Sequence, residues 1–285
     1  MPSFGPAGPR TASVFLAAAL AVLAPSTALA QACGNTGAGF DSWLSRFKSQ
    51  AAAQGISAST ISSTLGGITY DPAVIGLDRG QKSFKLSFEQ FYARRVNNAL
   101  IARGASLMRQ HAGLLDRVEQ RFGVPREILI AIWGLETRYG SDTSSRYSII
   151  RSLATLAYDC RRSAFFTGQL FDAVRIVQRG DISAANMRGG WAGEIGQTQF
   201  LPTPYVKYAV DFDGDGHRNL VRSVPDIMAS TANFLKGHGW KAGQGWEPGS
   251  ANYAVIRDWN RAEVYQRTIS VMASGLREAR GGSRS

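Results

Sequence analysis

Along most of the chain, apolar residues recur three or four positions apart, which is the spacing of amphipathic helices. Strict alternation of apolar and polar residues is nowhere long enough to build a large sheet. The pattern predicts helices at 40–55, 57–66, 84–103, 105–121, 125–140, 149–158, 166–180 and near 264–272. Residues 70–80, with one proline and two glycines, are predicted to form a loop. We therefore expect a mainly α protein.

One predicted helix carries a carboxyl group on its apolar face. The apolar stripe consists of Ile128, Leu129, Ile132 and Leu135. Glu136 follows Ile132 by four positions, so it lies on this stripe rather than on the solvated face. Apolar surroundings raise the pKa of a carboxyl group, and a protonated carboxyl can serve as a general acid. The alternative is a core-facing glutamate that forms an ion pair with Arg138 or with another arginine.

The first 30 residues have the charged, apolar and small-residue order of a secretory signal peptide. Arg10 precedes an almost entirely apolar run at 14–23, which is too short to span a bilayer in the mature protein. We expect a mature chain that begins at Gln31, is exported to the periplasm, and forms one domain with helical subdomains over 31–285. Lipoprotein processing at Cys33 is an alternative that fits poorly, because Gln31 is large and polar where small residues are expected.

The predicted export changes how the net charge of +11 and the two cysteines are interpreted. Nucleic acid is the first partner to consider for a basic cytosolic protein, but an exported chain without basic runs interleaved with aromatics does not need one. An acidic polymer of the cell envelope is the more natural partner, although a merely soluble basic surface explains the charge as well. In an oxidising compartment, Cys33 and Cys160 are expected to form a disulfide rather than to remain free thiols.

A glycine-rich segment at 189–205 is predicted to be a loop that lines a cleft, the alternative being an ordinary surface turn. Its two glutamines can donate and accept hydrogen bonds, which suits sugar amides and hydroxyls. Its aromatic rings suit the apolar faces of pyranose rings. The segment therefore favours a carbohydrate ligand.

Two motifs carry a resemblance to a known family: ETRYG at 136–140 and GEIGQTQFLP at 193–202. They are similar to the catalytic-helix and substrate-loop motifs of lytic murein transglycosylases. Within these, the chain most resembles the membrane-bound lytic transglycosylase B type, glycoside hydrolase family 103. The resemblance continues through YAVDFDGDG at 208–216 and ANFLK at 232–236. It implies a lysozyme-like, mainly helical catalytic core with an embedded EF-hand-like loop.

The resemblance also implies a chemistry, in which the β-1,4 bond between N-acetylmuramic acid and N-acetylglucosamine is cleaved without water to leave a 1,6-anhydromuramic end. Glu136 would be the sole catalytic acid and base. Residues implied to contact the glycan or its peptides are Tyr139, Arg161, Arg162, Gln199, Trp259, Asn260 and Tyr265. The chain departs from the family's pattern at Gly190, where some relatives have a serine that orients the muramic part. It also departs at Glu194, where others have alanine.

An acidic loop is the second candidate site. The run DFDGDGH at 211–217 places carboxylates at alternate positions with a glycine at the sixth, like the opening of a calcium-binding EF-hand loop. Arg222 stands where the standard loop has a glutamate, and Asp226 would close an enlarged loop of the kind that the resemblance implies. The alternative is a solvated acidic turn. The expected ligands of a structural Ca²⁺ are Asp211, Asp213, Asp215, Asp226 and the backbone carbonyl of His217.

Three functions follow from these observations. The leading one is an exported lytic transglycosylase that acts as a monomer on peptidoglycan glycan strands and needs no cofactor for catalysis. The second is a hydrolytic muramidase in which Glu194 or Asp142 activates water. The third is a non-catalytic, Ca²⁺-dependent peptidoglycan-binding module, against which the complete motif around Glu136 argues.

Overall fold

The structure, a computed structural model, describes residues 33–81, 86–143 and 146–281. Within these ranges the chain is mainly helical, as predicted. The helices are α1 (Phe40–Ala53), α2 (Ala58–Leu65), α3 (Pro72–Arg79), α4 (Phe88–Arg95), α5 (Asn98–Gln110), α6 (Ala112–Phe122), α7 (Arg126–Thr137), α8 (Ile149–Tyr158), α9 (Ser163–Gln178), α10 (Pro202–Tyr208), α11 (Val224–Gly237), α12 (Ala251–Trp259) and α13 (Glu263–Gly281). Two short strands, β1 (Tyr147–Ser148) and β2 (Arg188–Gly189), pair antiparallel. The predicted signal peptide at 1–30 lies outside the described residues.

Helix α7 is the centre of one of two helical groups. It packs against α5, α6, α11 and α13, and α4 and α12 join the group through α13. Every residue of α7 except Glu136 is buried. A helix buried on all sides has no solvated face, so the one-sided stripe predicted from sequence is too narrow. Glu136, in the last turn, is the position at which this helix reaches accessible surface.

The start of α7 is fixed by charged groups of the preceding helix. Pro125 occupies the N-cap position, and the backbone N–H of Arg126 donates to the Glu119 carboxylate at 2.5 Å. The Arg126 guanidinium pairs with both Asp116 and Glu119. A carboxylate at a helix N-terminus satisfies an otherwise unpaired N–H and interacts favourably with the helix dipole. These contacts set where α7 begins, and hence where Glu136 falls.

The second helical group is built on the α8–α9 pair, against which α1, α2, α3 and α10 pack. The predicted disulfide between Cys33 and Cys160 is present, with the two Cα atoms 5.0 Å apart. Beside it, the Gly34 N–H donates to the Tyr158 carbonyl at 2.9 Å. Together these contacts hold the N-terminal segment against the end of α8.

The predicted loop at 70–80 is wrong, because it contains helix α3. The Asp71 carboxylate caps this helix by accepting the Ala73 N–H at 3.1 Å, and Pro72 occupies the first turn. A capping aspartate followed by proline therefore outweighs the two glycines that favoured a loop.

Two predicted helices are divided in the structure. In place of 84–103, whose first residues lie outside the described ranges, the chain forms α4 and α5. Val96 is extended between them, and Asn97 caps α5 by accepting the Leu100 N–H at 2.9 Å. The predicted helix 105–121 is likewise interrupted at His111, where α5 ends and α6 begins.

One continuous hydrophobic core runs through both groups. Among the described residues, no helix combines the length and the apolar content that crossing a bilayer requires. The segment between β2 and α10 is irregular, and within it Ile195 and Phe200 pair through backbone hydrogen bonds of 2.7 and 3.0 Å. This closed loop faces the end of α7.

Candidate active site

A cleft of about 590 Å³ opens where the two helical groups meet, and it contains Glu136. The cleft is lined by the start of α9, the loop that precedes α10, and residues of α4, α11 and the end of α12. Its lining includes Arg95, Glu136, Arg162, Phe165, Glu194, Gln199, Asp258, Trp259 and Asn260.

A left-handed turn ends α7 after Thr137, the residue that follows the glutamate. Arg138, Tyr139 and Gly140 have φ angles of 51°, 62° and 77°. Few non-glycine residues adopt this region, and such backbone strain concentrates at functional sites. Gly140 is required for a second reason, because a Cβ there would lie 2.2 Å from Oε1 of Gln197. The turn thus brings the end of α7 against the loop at 193–202.

Glu136 is held by an aromatic donor rather than by a cation. The indole N–H of Trp259 donates to Oε1 of Glu136 at 3.0 Å. Burial raises the pKa of Glu136, while Trp259, Tyr265 and Arg95 act in the opposite direction and Glu194 adds to the rise. Among the described residues no ion pair to Glu136 forms, so the alternative of a structural ion pair is not what the structure contains. A cleft carboxyl with a raised pKa is suited to general acid catalysis.

The buried hydroxyl of Tyr265 lies behind the same carboxyl. Burial raises the pKa of Tyr265 well above its ordinary value, and the hydroxyl interacts with both Glu136 and Arg95. Among the described residues, however, none of its contacts meets the geometry of a hydrogen bond. The geometry makes Tyr265 a close neighbour of the acid rather than an established donor to it.

Gln197 braces the loop at 193–202 against α7. Its Oε1 accepts the indole N–H of Trp133 at 2.8 Å, and its backbone carbonyl accepts the Thr137 hydroxyl at 2.6 Å. Gln199, the second glutamine of the motif, lines the cleft. Its φ of 54° is left-handed, and its Nε2 donates to a carbonyl within the loop at 2.7 Å. One glutamine therefore positions the loop and the other is available to substrate.

The residues implied to contact the glycan divide into two sets. Those that line the cleft are Arg162, Gln199, Trp259 and Asn260. Tyr139 does not, because it is buried and its hydroxyl donates to the Leu100 carbonyl at 2.9 Å. Arg161 does not line the cleft either, and its guanidinium pairs with the buried Asp78, as that of Arg162 does. Tyr139 and Tyr265 are buried behind the cleft surface, whereas Arg161 is exposed outside the cleft lining.

Phe165 is a cleft residue that the sequence analysis missed. Its apolar side chain is 48% exposed, and it lies beside Phe166 with ring centroids 5.0 Å apart. The neighbouring Arg162 pairs with Asp78 and lies over the Phe166 ring at 4.7 Å. Two adjacent phenylalanines were the available signal, since on a helix only one of them can face the core.

The acidic loop brings three carboxylates together. One oxygen from each of Asp211, Asp213 and Asp226 lies within 4.8 Å of the others. Asp226 is buried in the first turn of α11, where burial raises its pKa and both its oxygens accept backbone N–H groups at 2.7 Å. Asp215 lies outside this cluster, and its carboxylate accepts the His217 N–H at 2.8 Å. An all-oxygen donor set suits a hard cation such as Ca²⁺.

Comparison with known sequences identifies relatives of the chain. The transglycosylase SLT domain family matches residues 39–251, which include Glu136, the loop at 193–202 and the acidic loop. Membrane-bound lytic murein transglycosylase B of Escherichia coli K12 is 39% identical over 144 residues, which are 50% of this chain and 39% of that protein. The matched part thus spans well under half the length of this relative.

Comparison with solved structures also identifies similar proteins. SltB3 from Pseudomonas aeruginosa, in complex with NAG-anhNAM-pentapeptide, is 32% identical and has a TM-score of 0.79, over 86% of this chain and 80% of that one. Slt35 of Escherichia coli, in complex with calcium, shares the fold at 24% identity with a TM-score of 0.74, over 84% of this chain and 93% of that one. The chain belongs to the transglycosylase SLT domain family.

Proposed function

We propose that this chain is a peptidoglycan lytic transglycosylase, which cleaves the β-1,4 bond between N-acetylmuramic acid and N-acetylglucosamine and leaves 1,6-anhydromuramic ends. The observation that carries the proposal is Glu136, a carboxyl at the cleft end of a buried helix, with a raised pKa and no ion pair to any described residue. Membership of the SLT domain family and the NAG-anhNAM-pentapeptide bound by SltB3 support it.

Glu136 acts twice in this mechanism. In its protonated form it gives its proton to the glycosidic oxygen as the bond from that oxygen to C1 of the muramic sugar breaks. The resulting carboxylate then accepts the proton of the C6 hydroxyl while the C6 oxygen bonds to C1, which closes the anhydro ring and restores the acid. The Trp259 N–H stabilises the carboxylate between the two steps. Because no water is consumed, no second carboxylate is required.

Glycan binding is assigned to side chains that face the cleft. The amides of Gln199 and Asn260 offer donors and acceptors to sugar hydroxyl and acetamido groups. Trp259 and Phe165 present aromatic surface to the apolar faces of pyranose rings. Arg162 places a cation in the same cleft, where the acidic peptides of peptidoglycan would meet it.

The hydrolytic alternative depends on Glu194. Asp142 is exposed and does not line the cleft, whereas Glu194 does. A muramidase would therefore have to use Glu194 as the base that activates water. A non-catalytic peptidoglycan-binding module would not need an acid such as Glu136, whose pKa is raised by burial.

Calcium has a structural role in the proposal. Asp211, Asp213 and Asp226 would hold the ion, which would offset the repulsion between their charges and fix the loop ahead of α11. The buried Asp226 and the convergence of three carboxylates support the fit, as does the calcium complex of Slt35. Asp215 and the carbonyl of His217 are further candidate ligands. The chemistry of Glu136 makes no use of the ion.

The proposed location is the periplasm, after removal of residues 1–30 as a signal peptide. The Cys33–Cys160 disulfide supports an oxidising compartment. A sulfur of Cys33 that is bonded to Cys160 is not available for a lipid thioether, which favours an unanchored protein. We expect residues 31–285 to act as a monomeric catalytic domain on an acidic wall polymer.

Product analysis tests the proposed function. The chain from Gln31 onward is incubated with purified sacculi, and the released muropeptides are identified by mass spectrometry. We expect 1,6-anhydro ends, and we expect Glu136→Gln to lower the rate about 100- to 10,000-fold without loss of folded structure. Asp142→Asn is the matched control, because its carboxylate is nearby in sequence but exposed outside the cleft. Reducing-end muropeptides from the parent chain would replace the transglycosylase with the hydrolase.

A further inference from the structure

The turn before the substrate loop folds a second carboxyl group back over its own backbone. The Gly190 N–H donates to the Glu194 carbonyl at 3.0 Å, and the Gly193 N–H donates to the Gly190 carbonyl at 3.2 Å. Within this turn, the Ala192 N–H donates to Oε2 of Glu194 at 3.0 Å. The Glu194 carboxyl is therefore anchored by the backbone and not by a neighbouring side chain.

Gly190 makes the space that this carboxyl occupies. A Cβ at position 190 would lie 2.1 Å from Oε2 of Glu194 and 3.1 Å from its Cβ. The backbone of Gly190 is not left-handed, so its conformation does not call for glycine. The absence of a side chain matters here because it leaves room for the Glu194 carboxyl. The adjacent Gly189 has a different reason, since a Cβ there would meet the backbone carbonyl of Glu194 at 2.0 Å. Any side chain at position 190 would displace the carboxyl.

Glu194 faces the same cleft as the catalytic acid, and no described cation forms an ion pair with it. Within the described ranges, its carboxyl forms no ion pair and no hydrogen bond to another side chain. Burial raises the pKa of Glu194, and the N–H groups of Glu194 and Ala192 only partly oppose this. The charged groups that line the cleft around it are Glu136 from α7, Arg95 from α4, Arg162 before α9, and Asp258 from α12, which pairs with His238 at 3.2 Å.

We propose that Glu194 is a sugar-binding residue of the cleft, held over Gly190 so that its carboxyl hydrogen-bonds an amino sugar of the glycan. The inference rests on the proposed glycan substrate. In the neutral form the hydroxyl of the carboxyl donates to an acceptor oxygen, for which the acetamido carbonyl is the strongest neutral candidate on the sugar. A carboxylate accepts only, so ionisation removes this bond.

The same environment argues against Glu194 as a hydrolytic base. A general base must be ionised before it can take a proton from water. A half-buried carboxyl without a cation is disfavoured in that state, and the ionised Glu136 of the intermediate would disfavour it further. Glu194 is thus better suited to donating a hydrogen bond to substrate than to activating water.

The test measures binding in a chain that cannot turn over. Glu136→Gln serves as the background, and calorimetry measures its affinity for a peptide-free tetrasaccharide of alternating N-acetylglucosamine and N-acetylmuramic acid. Adding Glu194→Ala should weaken binding about fivefold to tenfold, the loss of one hydrogen bond. Adding Glu194→Gln should change it by less than about threefold, because the amide still donates. The background should bind more weakly at about pH 8 than at about pH 5, whereas adding Glu194→Gln should remove that difference, because an amide does not ionise.

A variant at Gly190 tests the position of the Glu194 carboxyl separately from its hydrogen-bonding chemistry. Gly190→Ala should weaken binding as much as Glu194→Ala does, and the two changes together should not add, because both remove the same carboxyl. His238 and Asp258 are intact in every variant, so they cannot account for a difference between Glu194→Gln and the background. Unchanged affinity in Glu194→Ala, or a loss in Glu194→Gln as large as in Glu194→Ala, overturns the inference.

If Gly190→Ala fails to fold, the two Glu194 variants decide the question alone. If it folds and binds as tightly as the background, the proposed position of the carboxyl is wrong. The background lacks the catalytic acid, so these affinities are independent of whether the parent chain yields anhydro or reducing ends. A chain that does not bind the tetrasaccharide in any form would contradict the proposed function itself.

Discussion

Removing the indole donor from Glu136 is the sharpest perturbation that the active-site geometry offers. Trp259→Phe deletes the N–H that donates to Oε1 of Glu136 at 3.0 Å. The phenyl ring can keep the edge contacts that Trp259 makes with Phe200 and Phe234, whose ring centroids lie 5.4 and 5.1 Å away. The change therefore acts mainly on the hydrogen bond and only secondarily on packing.

The expected magnitude follows from the two protonation states of Glu136. A hydrogen bond to an ionised group contributes about 1.5–3 kcal/mol, against about 0.5–1.5 kcal/mol for a neutral one. The difference, about 1–1.5 kcal/mol, is the preference for the carboxylate that the variant loses. Since one pKa unit corresponds to about 1.4 kcal/mol, the pKa of Glu136 should rise by about one unit beyond its already raised value.

The pH dependence of the rate measures this shift. The first step needs protonated Glu136, so kcat/KM falls as pH rises through the pKa of the free enzyme. Initial rates of sacculus clearing are measured at fixed ionic strength across about pH 4–9. In Trp259→Phe, the fall in kcat/KM on the alkaline side should occur about one pH unit higher than in the parent. Trp240→Phe is the control, because the buried indole N–H of Trp240 has no partner among the described residues. An alkaline limb that stays in place or moves downward in Trp259→Phe would refute this account of the acid.

Three further predictions address the metal loop, the disulfide and the cleft wall. Added Ca²⁺ should raise the unfolding temperature of the parent but not of Asp213→Ala, and equal values with Ca²⁺ and with a chelator in the parent would exclude a site of useful affinity. Replacing both Cys33 and Cys160 by serine should lower the free energy of unfolding by about 2–5 kcal/mol in urea titrations, which an unchanged midpoint would contradict. Phe165→Ala should raise KM for sacculi several-fold with little change in kcat, whereas Leu77→Ala, an exposed apolar residue outside the cleft, should not.

Local signals decided which helices could be predicted from the sequence. Helix α8 has the predicted bounds, because Ser148 caps it by accepting the Arg151 N–H at 3.4 Å and its apolar pattern is continuous. Helix α3 was missed because Gly76 was taken as a breaker. In the structure a Cβ at Gly76 would have no neighbour within 4 Å, so this glycine is an exposed helical residue rather than a turn. Glycine and proline alone do not distinguish a loop from a helix, whereas a capping residue ahead of them indicates that a helix begins.

The position of Glu136 was predictable, but its partners were not predictable from periodicity. Its place among apolar residues follows from helical spacing, and burial indeed raises its pKa. Trp259, the residue that donates to it, lies 123 positions further along the chain, and no local pattern connects the two. The family motif indicated Trp259 and Tyr265 as glycan contacts. In the structure Trp259 also holds the acid, and Tyr265 lies behind it.

The two departures from the family's pattern, at Gly190 and Glu194, are a single structural feature. They are four positions apart in the sequence and appear independent, yet a side chain at position 190 would occupy the space of the Glu194 carboxyl. A glutamate carboxyl in this position therefore favours glycine at the first position, whereas alanine at the second leaves room for a serine at the first. In an alignment of the SLT domain family, we expect glutamate at the position of Glu194 to occur with glycine at that of Gly190. If glutamate is found with serine or alanine there as often as with glycine, the steric link does not hold, and the two positions vary for separate reasons.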